Sequence, residues 1–408
     1  MQVVSDQILA FQQNSSWIRR MFEAGIEMKR QFGAENVYDF SLGSPDLRPP
    51  STMIDALRRL PEEVDVPAGL GYMPNAGYPA ARETLSRWAE AEQGVPVPAA
   101  NIVITVGAAG GLNDLFRAIL SPGDEVICPA PYFVEYGSYC GNYGGVLKAV
   151  KSAPGTFKLD LDGIAAAITG RTRALLINSP NNPSGVIYSA GEIEALAGIL
   201  RAANARFGGR PIILIADEPY RFLAFDGVKV PSVLPYYEYS VVCSSFSKNL
   251  GLAGERVGYL CVNPAMGEAA ASQLTAGLIL TNRILGGVNA PCIGQKLLIH
   301  GLKDIALAQK LQRDQLAVYA QRRQLMGAIL AEAGLQFQAP AGTFYFFPKA
   351  PDGMDDVAFV KKLADHHILA VPGSGFGYAG YFRLAICVGA EVIERSRQAF
   401  LDACRECR

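Results

Sequence analysis

Residues 173–217 read RALLINSPNNPSGVIYSAGEIEALAGILRAANARFGGRPIILIAD. The first run, RALLINS (173–179), is short and apolar without polar alternation, as a strand covered on both faces requires. A turn of prolines and asparagines follows. Then comes SAGEIEALAGILRAANARF, with apolar residues at helical spacing, and a second apolar run, PIILIAD (211–217). Strand, turn, helix and strand in that order make a crossover unit, which sets an α/β fold with parallel strands.

The same alternation extends on both sides. Apolar runs recur at NIVITV (101–106), DEVICPA (124–130), SVVCSSF (240–246) and RVGYLCV (256–262), and GGLNDLFRAIL between the first two suits a crossover helix. The expectation is a mostly parallel sheet sandwiched between helices. Beyond VNAPCIGQ, residues 303–335 read as one long helix stopped by Gly334. The remainder, with TFYFFP, HHILAVPGSGFG and GYFRLAIC, reads as a smaller α+β unit. No internal repeat or low-complexity segment interrupts the chain.

A chain of 408 residues can bury a large core, and its length fits one large domain plus a smaller one. Charged residues are 18% of it, the formal net charge is -1, and no basic block could track a phosphate backbone or a membrane surface. Nucleic acid is excluded as an expected partner. The first twenty residues, MQVVSDQILAFQQNSSWIRR, do not read as a secretory signal, so the mature chain is expected to start at Met1. The most apolar long stretch, VGYLCVNPAMGEAAASQLTAGLIL, is interrupted by Asn263, Pro264, Glu268 and Gln273, against a membrane span. A cytoplasmic protein is expected. Of eight cysteines, Cys128, Cys243, Cys261 and Cys387 sit in apolar runs where they act as small hydrophobes, buried and reduced. Cys404 and Cys407 form a C-x-x-C without a second pair or a nearby histidine, and read as one turn of a terminal helix with no metal site.

In open α/β sheets ligands bind beyond the carboxyl ends of the strands, so the residues after each apolar run carry the chemistry. NIVITV is followed by GAAGGLND, small residues opening a helix whose free N–H groups can bind an anion, or merely pack closely. RALLINS leads into PNNPSG, a tight turn that fixes side-chain amides, with a cis bond expected at Asn182–Pro183. PIILI leads into ADEPYRF, placing Asp217 at a strand end as a site carboxylate or as a turn former. SVVCSSF is followed by Lys248, and Arg256 opens the next run. A lysine at a buried strand end is costly unless paired, neutral or covalently used, whereas in a solvated loop it needs no explanation.

These strings resemble the fold type I pyridoxal-phosphate enzymes, specifically the class I and II aminotransferases of the aspartate aminotransferase superfamily. The resemblance spans nearly the whole chain: LGSPDL, YMPNAGYPAAR, TVGAAGGL, APYFVEY, SPNNPSG, ADEPY, SFSKNLGLAGERVGY, VNAP, GTFYFFP, VPGSGFG and FRLAI. It implies a large domain over 51–302, built on a mostly parallel seven-stranded sheet between helices. It further implies a smaller α+β domain from 1–50 and 303–408.

The implied cofactor is pyridoxal 5'-phosphate, covalent on Lys248 as a Schiff base. Lys248 is then freed to shuttle the proton between the substrate α-carbon and the cofactor. Asp217 pairs with the pyridine nitrogen and keeps it charged, while Tyr220 and Asn182 hydrogen-bond the ring's phenolic oxygen. The amides of Ala108 and Ala109 after Gly107, the hydroxyls of Ser245 and Ser247, and Arg256 hold the phosphate. Phe133 stacks on the ring, and Tyr72 reaches the phosphate from a neighbouring subunit, so the resemblance implies a homodimer with shared sites. Arg383 clamps the substrate α-carboxylate, a task suited to a planar guanidinium, and Gly43 lies where the N-terminal segment closes over the substrate.

The implied reaction moves the amino group of an L-amino acid to a 2-oxo acid by a ping-pong mechanism through the lysine aldimine. Relatives with the same lysine, aspartate and arginine also run β-elimination, so a C–S lyase is the alternative. A ligand-sensing regulator would need an attached DNA-binding module, and no basic N-terminal module is present. Arg283, in TNRILGGVNAP, lies near the region where dicarboxylate-specific members carry a second arginine without being clearly in register, and the donor amino acid is left open.

Overall fold

The structure, a computed structural model, describes residues 2–13 and 17–407. Its main sheet contains β2 (Ile102–Val106), β3 (Glu125–Ala130), β4 (Val146–Lys151), β5 (Thr172–Asn178), β6 (Ile213–Asp217), β7 (Ser240–Ser245) and β8 (Val257–Val262). Their spatial order is β2-β8-β7-β6-β5-β3-β4. Strands β4, β3, β5, β6 and β7 run parallel, whereas β8 is antiparallel to both β7 and β2. The chain is an α/β protein with a seven-stranded, mostly parallel sheet.

Six strands fall on the predicted apolar runs. The seventh, β4, was not among them. It is the edge strand, and none of its residues VLKAVK is fully buried. Lys148 from this strand pairs with Glu125 of β3 at 2.8 Å.

Side-chain alternation divides the central strands between two cores. Ala174, Leu176, Ile215, Val241 and Leu260 pack beneath Leu112, Leu115 and Phe116 of helix Gly107–Ile119 and Leu278 of helix Glu268–Ile284. Leu175, Ile177, Leu214, Ala216 and Val242 face the other way, against Leu196 and Leu200 of helix Ala190–Phe207 and Leu85 and Trp88 of helix Pro79–Gln93. Helix Ala190–Phe207 begins with a capping box, in which Ser189 and Glu192 each bond the other's backbone N–H.

The smaller sheets use β1 (Tyr38–Asp39), β9 (Tyr345–Phe346), β10 (Ile368–Leu369), β11 (Val371–Pro372) and β12 (Phe382–Ala385). Strand β1 runs parallel to β10, while β12 is antiparallel to both β11 and β9. The long helix is Ile305–Glu332, capped by Asp304 and followed by Gly334 at φ +75°. It packs with β9, β10 and β12 through Tyr319, Met326, Leu330, Phe344, Phe346, Ile368 and Leu384, and Phe40, Tyr220 and Leu223 join the same cluster.

The Asn182–Pro183 peptide is cis, as are Ala130–Pro131 and Ser179–Pro180. Cys404 lies in a terminal helix, Arg397–Arg405, with Cys407 just beyond, and all eight cysteines are free thiols. No helix of the described residues is long and apolar enough to cross a membrane.

Candidate active site

A cavity of about 370 Å³ opens at the carboxyl ends of β5, β6 and β7. It is lined by Gly43, Ala108, Ala109, Phe133, Asn182, Asp217, Tyr220, Ser245, Ser247, Lys248, Arg256 and Arg383. Two predicted residues are not among its walls. Gly107 stands just behind Arg256, and Tyr72 is 92% exposed.

Asp217 ends β6, in register with Asn178 at the end of β5. Asn178 ties the two strand ends to the proline turn: its Nδ2 donates to the Asp217 carbonyl at 2.8 Å, and its Oδ1 accepts from the Asn182 N–H at 2.6 Å. The Tyr136 hydroxyl donates to Asp217 Oδ2. Oδ1 of the same carboxylate is buried with no partner. Burial pushes the Asp217 pKa up to about 7; the Tyr136 bond opposes this and the neighbouring Glu218 charge adds to it. Glu218 belongs to a separate buried network, accepting from Gln93 at 2.8 Å and Arg221 at 3.0 Å.

Lys248 Nζ donates to the Gly43 carbonyl at 2.6 Å. Burial is the main cause that lowers its pKa, and the charges of Arg383 and Arg256 act in the same direction while Cys387 opposes them. A lysine held this way is more readily the neutral, nucleophilic amine.

At one end of the cavity the helix Gly107–Ile119 presents the free N–H groups of its first turn. Arg256, itself left-handed at φ +48°, places Nη2 against Gly107, where a Cβ would lie 2.8 Å from it. Gly258 lets β8 pass equally close: a Cβ there would sit 2.6 Å from the Ser244 carbonyl and 2.9 Å from the Ala108 nitrogen. Together with Ser245 and Ser247 this forms a cradle for a phosphate-sized anion.

At the other end Arg383, from β12, is only 2% exposed. Its Nη1 donates to Asn182 Oδ1 at 3.1 Å and its Nη2 to the Ser41 carbonyl at 2.6 Å, while Nε is buried without a partner. The guanidinium lies over the rings of Tyr345 and Phe376, 4.6 and 4.9 Å from their centroids. The Tyr345 and Tyr220 hydroxyls are 3.2 Å apart, and a side chain on Gly43 would overlap the Tyr345 hydroxyl. Phe133 meets Tyr136 edge to face at 5.5 Å. Arg283 is exposed near the end of helix Glu268–Ile284 and does not line the cavity.

The wall residues not singled out in the sequence include Tyr136, Asn178 and Tyr345, which hold other site groups through hydrogen bonds. Each had a visible signal. Asn178 is a polar residue at the end of the apolar run RALLINS, and the two tyrosines stand within APYFVEY and GTFYFFP.

The pyridoxal group implied above fits these residues. Asp217 offers an unpartnered carboxylate oxygen to a cationic N–H, Lys248 a buried amine, and the helix terminus with Arg256 a seat for a phosphate. Sheet and cavity together place a buried amine, an unpartnered carboxylate oxygen and a helix N-terminus side by side at the strand ends. Residues 35–400 match the family of aminotransferases class I and II, and the chain belongs to that family. The family depends on pyridoxal phosphate, and the chain is a transaminase. It is 29% identical over 377 residues to the aspartate/prephenate aminotransferase of Thermus thermophilus, covering 92% of each chain. A solved amino transferase from Eubacterium rectale superposes with a TM-score of 0.90 at 36% identity, covering 100% of this chain and 99% of that one. The aspartate aminotransferase of Thermus thermophilus solved with maleate gives 0.87 at 28%, covering 99% and 100%.

Proposed function

We propose that Lys248 carries pyridoxal 5'-phosphate covalently and that this site transfers the amino group of an L-amino acid to a 2-oxo acid by a ping-pong mechanism. The observation that carries the reading is Asp217 Oδ1, buried without a partner in the same cavity as a desolvated lysine. When bound, the cofactor supplies an electron sink for charge developing at the substrate α-carbon.

Each side chain then has a task. Asp217 pairs with the pyridine N–H, and Tyr136 holds that carboxylate in orientation through the other oxygen. Tyr220 and Asn182 donate toward the ring's phenolic oxygen, with Phe133 against the ring face. Ala108, Ala109, Ser245, Ser247 and Arg256 bind the phosphate, and Gly107 keeps the backbone clear for Arg256. Arg383 takes the substrate α-carboxylate, oriented by Asn182 and stacked on Tyr345. With the cofactor bound, Lys248 Nζ would be the base that takes up the substrate's α-proton and the acid that gives it back. Its lowered pKa favours the base form this step needs.

The chain is organised as a large domain over 51–302 and a small one from 1–50 and 303–408, with the site between them. Tyr72, with its ring in solvent, completes the phosphate cradle of a partner subunit in a homodimer. The free, mostly buried thiols suit the reducing cytoplasm.

Lys248→Ala is expected to abolish both the visible absorbance of the bound cofactor and all turnover; retained transamination would overturn the assignment. Mixing the wild-type protein with a panel of amino acids, and following conversion of the cofactor spectrum to that of pyridoxamine phosphate, tests the reaction type. Pyruvate released from a thioether, with no such conversion by any amino acid, would identify a lyase instead.

A further inference from the structure

Arg383 is held by more than the hydrogen bonds at its edge. Its guanidinium lies 4.9 Å from the centroid of the Phe376 ring, and Phe376 belongs to the connection 373–381 between β11 and β12, so this loop curls back over the strand that follows it. The register pairs Val371 with Arg383 and Pro372 with Phe382, which brings the two ends of the loop together. Its sequence is GSGFGYAGY, and four glycines in nine residues leave it little stiffness of its own. Phe376 is nonetheless fully buried. Its carbonyl accepts at 3.1 Å from the N–H of Tyr132, the neighbour of the wall residue Phe133.

The stiffness comes from outside the loop. Asp356, the first residue of helix Asp356–Asp365, is 3% exposed, and each of its carboxylate oxygens takes one N–H of the loop backbone. Oδ2 accepts from Ser374 at 2.7 Å and Oδ1 from Gly380 at 3.1 Å. One buried carboxylate thus bridges a residue before Phe376 and a residue after it, through bonds that its charge strengthens. Asp356 is not the cap of its own helix. That task falls to Asp355, whose side chain accepts from the Ala358 N–H at 2.7 Å.

We infer that Asp356 is a positioning residue for the substrate-carboxylate seat: by clamping the loop at Ser374 and Gly380 it keeps Phe376 against Arg383 and so fixes the plane of the guanidinium that receives the α-carboxylate. The bonds from Nη1 to Asn182 and from Nη2 to the Ser41 carbonyl hold that guanidinium at its edge, whereas the rings of Tyr345 and Phe376 oppose its tilting. Tyr345 stands in strand β9, so of the two rings only Phe376 depends on a glycine-rich loop for its place. A planar, two-pronged donor loses its match to a carboxylate when it tilts. Asp356 does not line the cavity and acts through Phe376. The inference rests on the role of Arg383 proposed above.

The experiment compares wild-type holoenzyme with Asp356→Asn, Phe376→Leu, the double variant and Asp355→Ala, using the amino donor that the wild type converts best. Asp356→Asn keeps the size of the side chain but turns an amide N–H toward one of the loop N–H groups. It should raise KM about tenfold and change kcat less than about threefold, because the carboxylate contact is already made in the bound substrate. Butyrate, a carboxylate without an amine, should bind more weakly by the same factor, while the Kd for pyridoxal phosphate stays within about twofold of wild type. Phe376→Leu should show the same pattern, and the double variant should be no worse than the poorer single one, since both changes release the same contact. Asp356→Glu keeps both acceptor oxygens, should fall between wild type and Asp356→Asn in KM, and guards against a folding defect in the latter. Asp355→Ala removes the helix cap and should lower Tm without moving KM. An unmoved KM in Asp356→Asn, an equal rise in Asp355→Ala, cofactor affinity falling in step with that of butyrate, or additive penalties in the double variant would each overturn the inference. Should the wild type transaminate, any of these results touches Asp356 alone. If no amino acid converts the wild type, the transaminase site and this inference fall together.

Discussion

Asp217 has a buried carboxyl with one oxygen satisfied by Tyr136 and the other bare, and a pKa near 7. Because that value lies above the unfolded carboxyl near 3.9, the folded state holds this proton more tightly than the unfolded chain. Its contribution to stability is therefore full below about pH 4 and lost as pH rises through about 7, a change on the order of 4 kcal/mol. Asp114, buried in helix Gly107–Ile119 and also raised to about 7, acts in the same window. Urea unfolding of the cofactor-free protein at pH 4.5 and 8 should show the loss, to which the buried carboxyls of Glu92 and Glu218 also add, and Asp217→Asn should make it measurably smaller. A pyridinium N–H at Oδ1 pulls the carboxyl back to its charged form, so adding pyridoxal phosphate should flatten the same profile in the wild type. The residues that meet this demand were unequally legible. Asp217, Lys248 and Arg383 stand in recognisable strings at strand ends. Tyr136 and Tyr345 also stand in recognisable strings, but their partners lie 81 and 125 residues away, and no local pattern records those contacts.

At the scale of elements, the central strands were readable because burial on both faces selects continuous apolar runs. The edge strand β4 escaped because half of its surface faces solvent and carries lysines. The same sheet brings β8 so close to the helix terminus that only glycine fits at position 258. Gly258→Ala must displace the Ser244 carbonyl or the Ala108 amide, both backbone groups that cannot swing aside. It should cost about 1–3 kcal/mol of stability and weaken pyridoxal phosphate binding at the same time, read by urea unfolding and by cofactor titration. Ser189→Ala provides the contrast. It breaks the capping box of helix Ala190–Phe207, away from the cavity, and should cost about 1 kcal/mol while leaving cofactor affinity unchanged. Equal loss of cofactor affinity in both variants would show that the cradle responds to global stability and not to the Gly258 approach.

At the scale of the molecule, a single chain brings together every proposed cofactor contact except Tyr72, whose ring is 92% exposed although it resembles a phosphate ligand. A fully solvated phenol at such a position is explained if its work is done in a second copy. Nearby chain offers apolar surface for that copy, with Val66 and Leu70 both more than half exposed. The arrangement makes a strict prediction for mixed dimers. Tyr72→Ala and Lys248→Ala homodimers should each be weak or inactive. In a hybrid, the chain that retains Lys248 is served by Tyr72 of the other chain, so one of its two sites is native. Random reassociation of equal amounts makes about half of all dimers hybrid, and about a quarter of wild-type activity should return. Recovery should follow subunit exchange, appearing after co-refolding and not on brief mixing of preformed dimers. If Tyr72 acted within its own chain, every hybrid would carry one site without Lys248 and one without Tyr72, and no activity above the sum of the parents would appear.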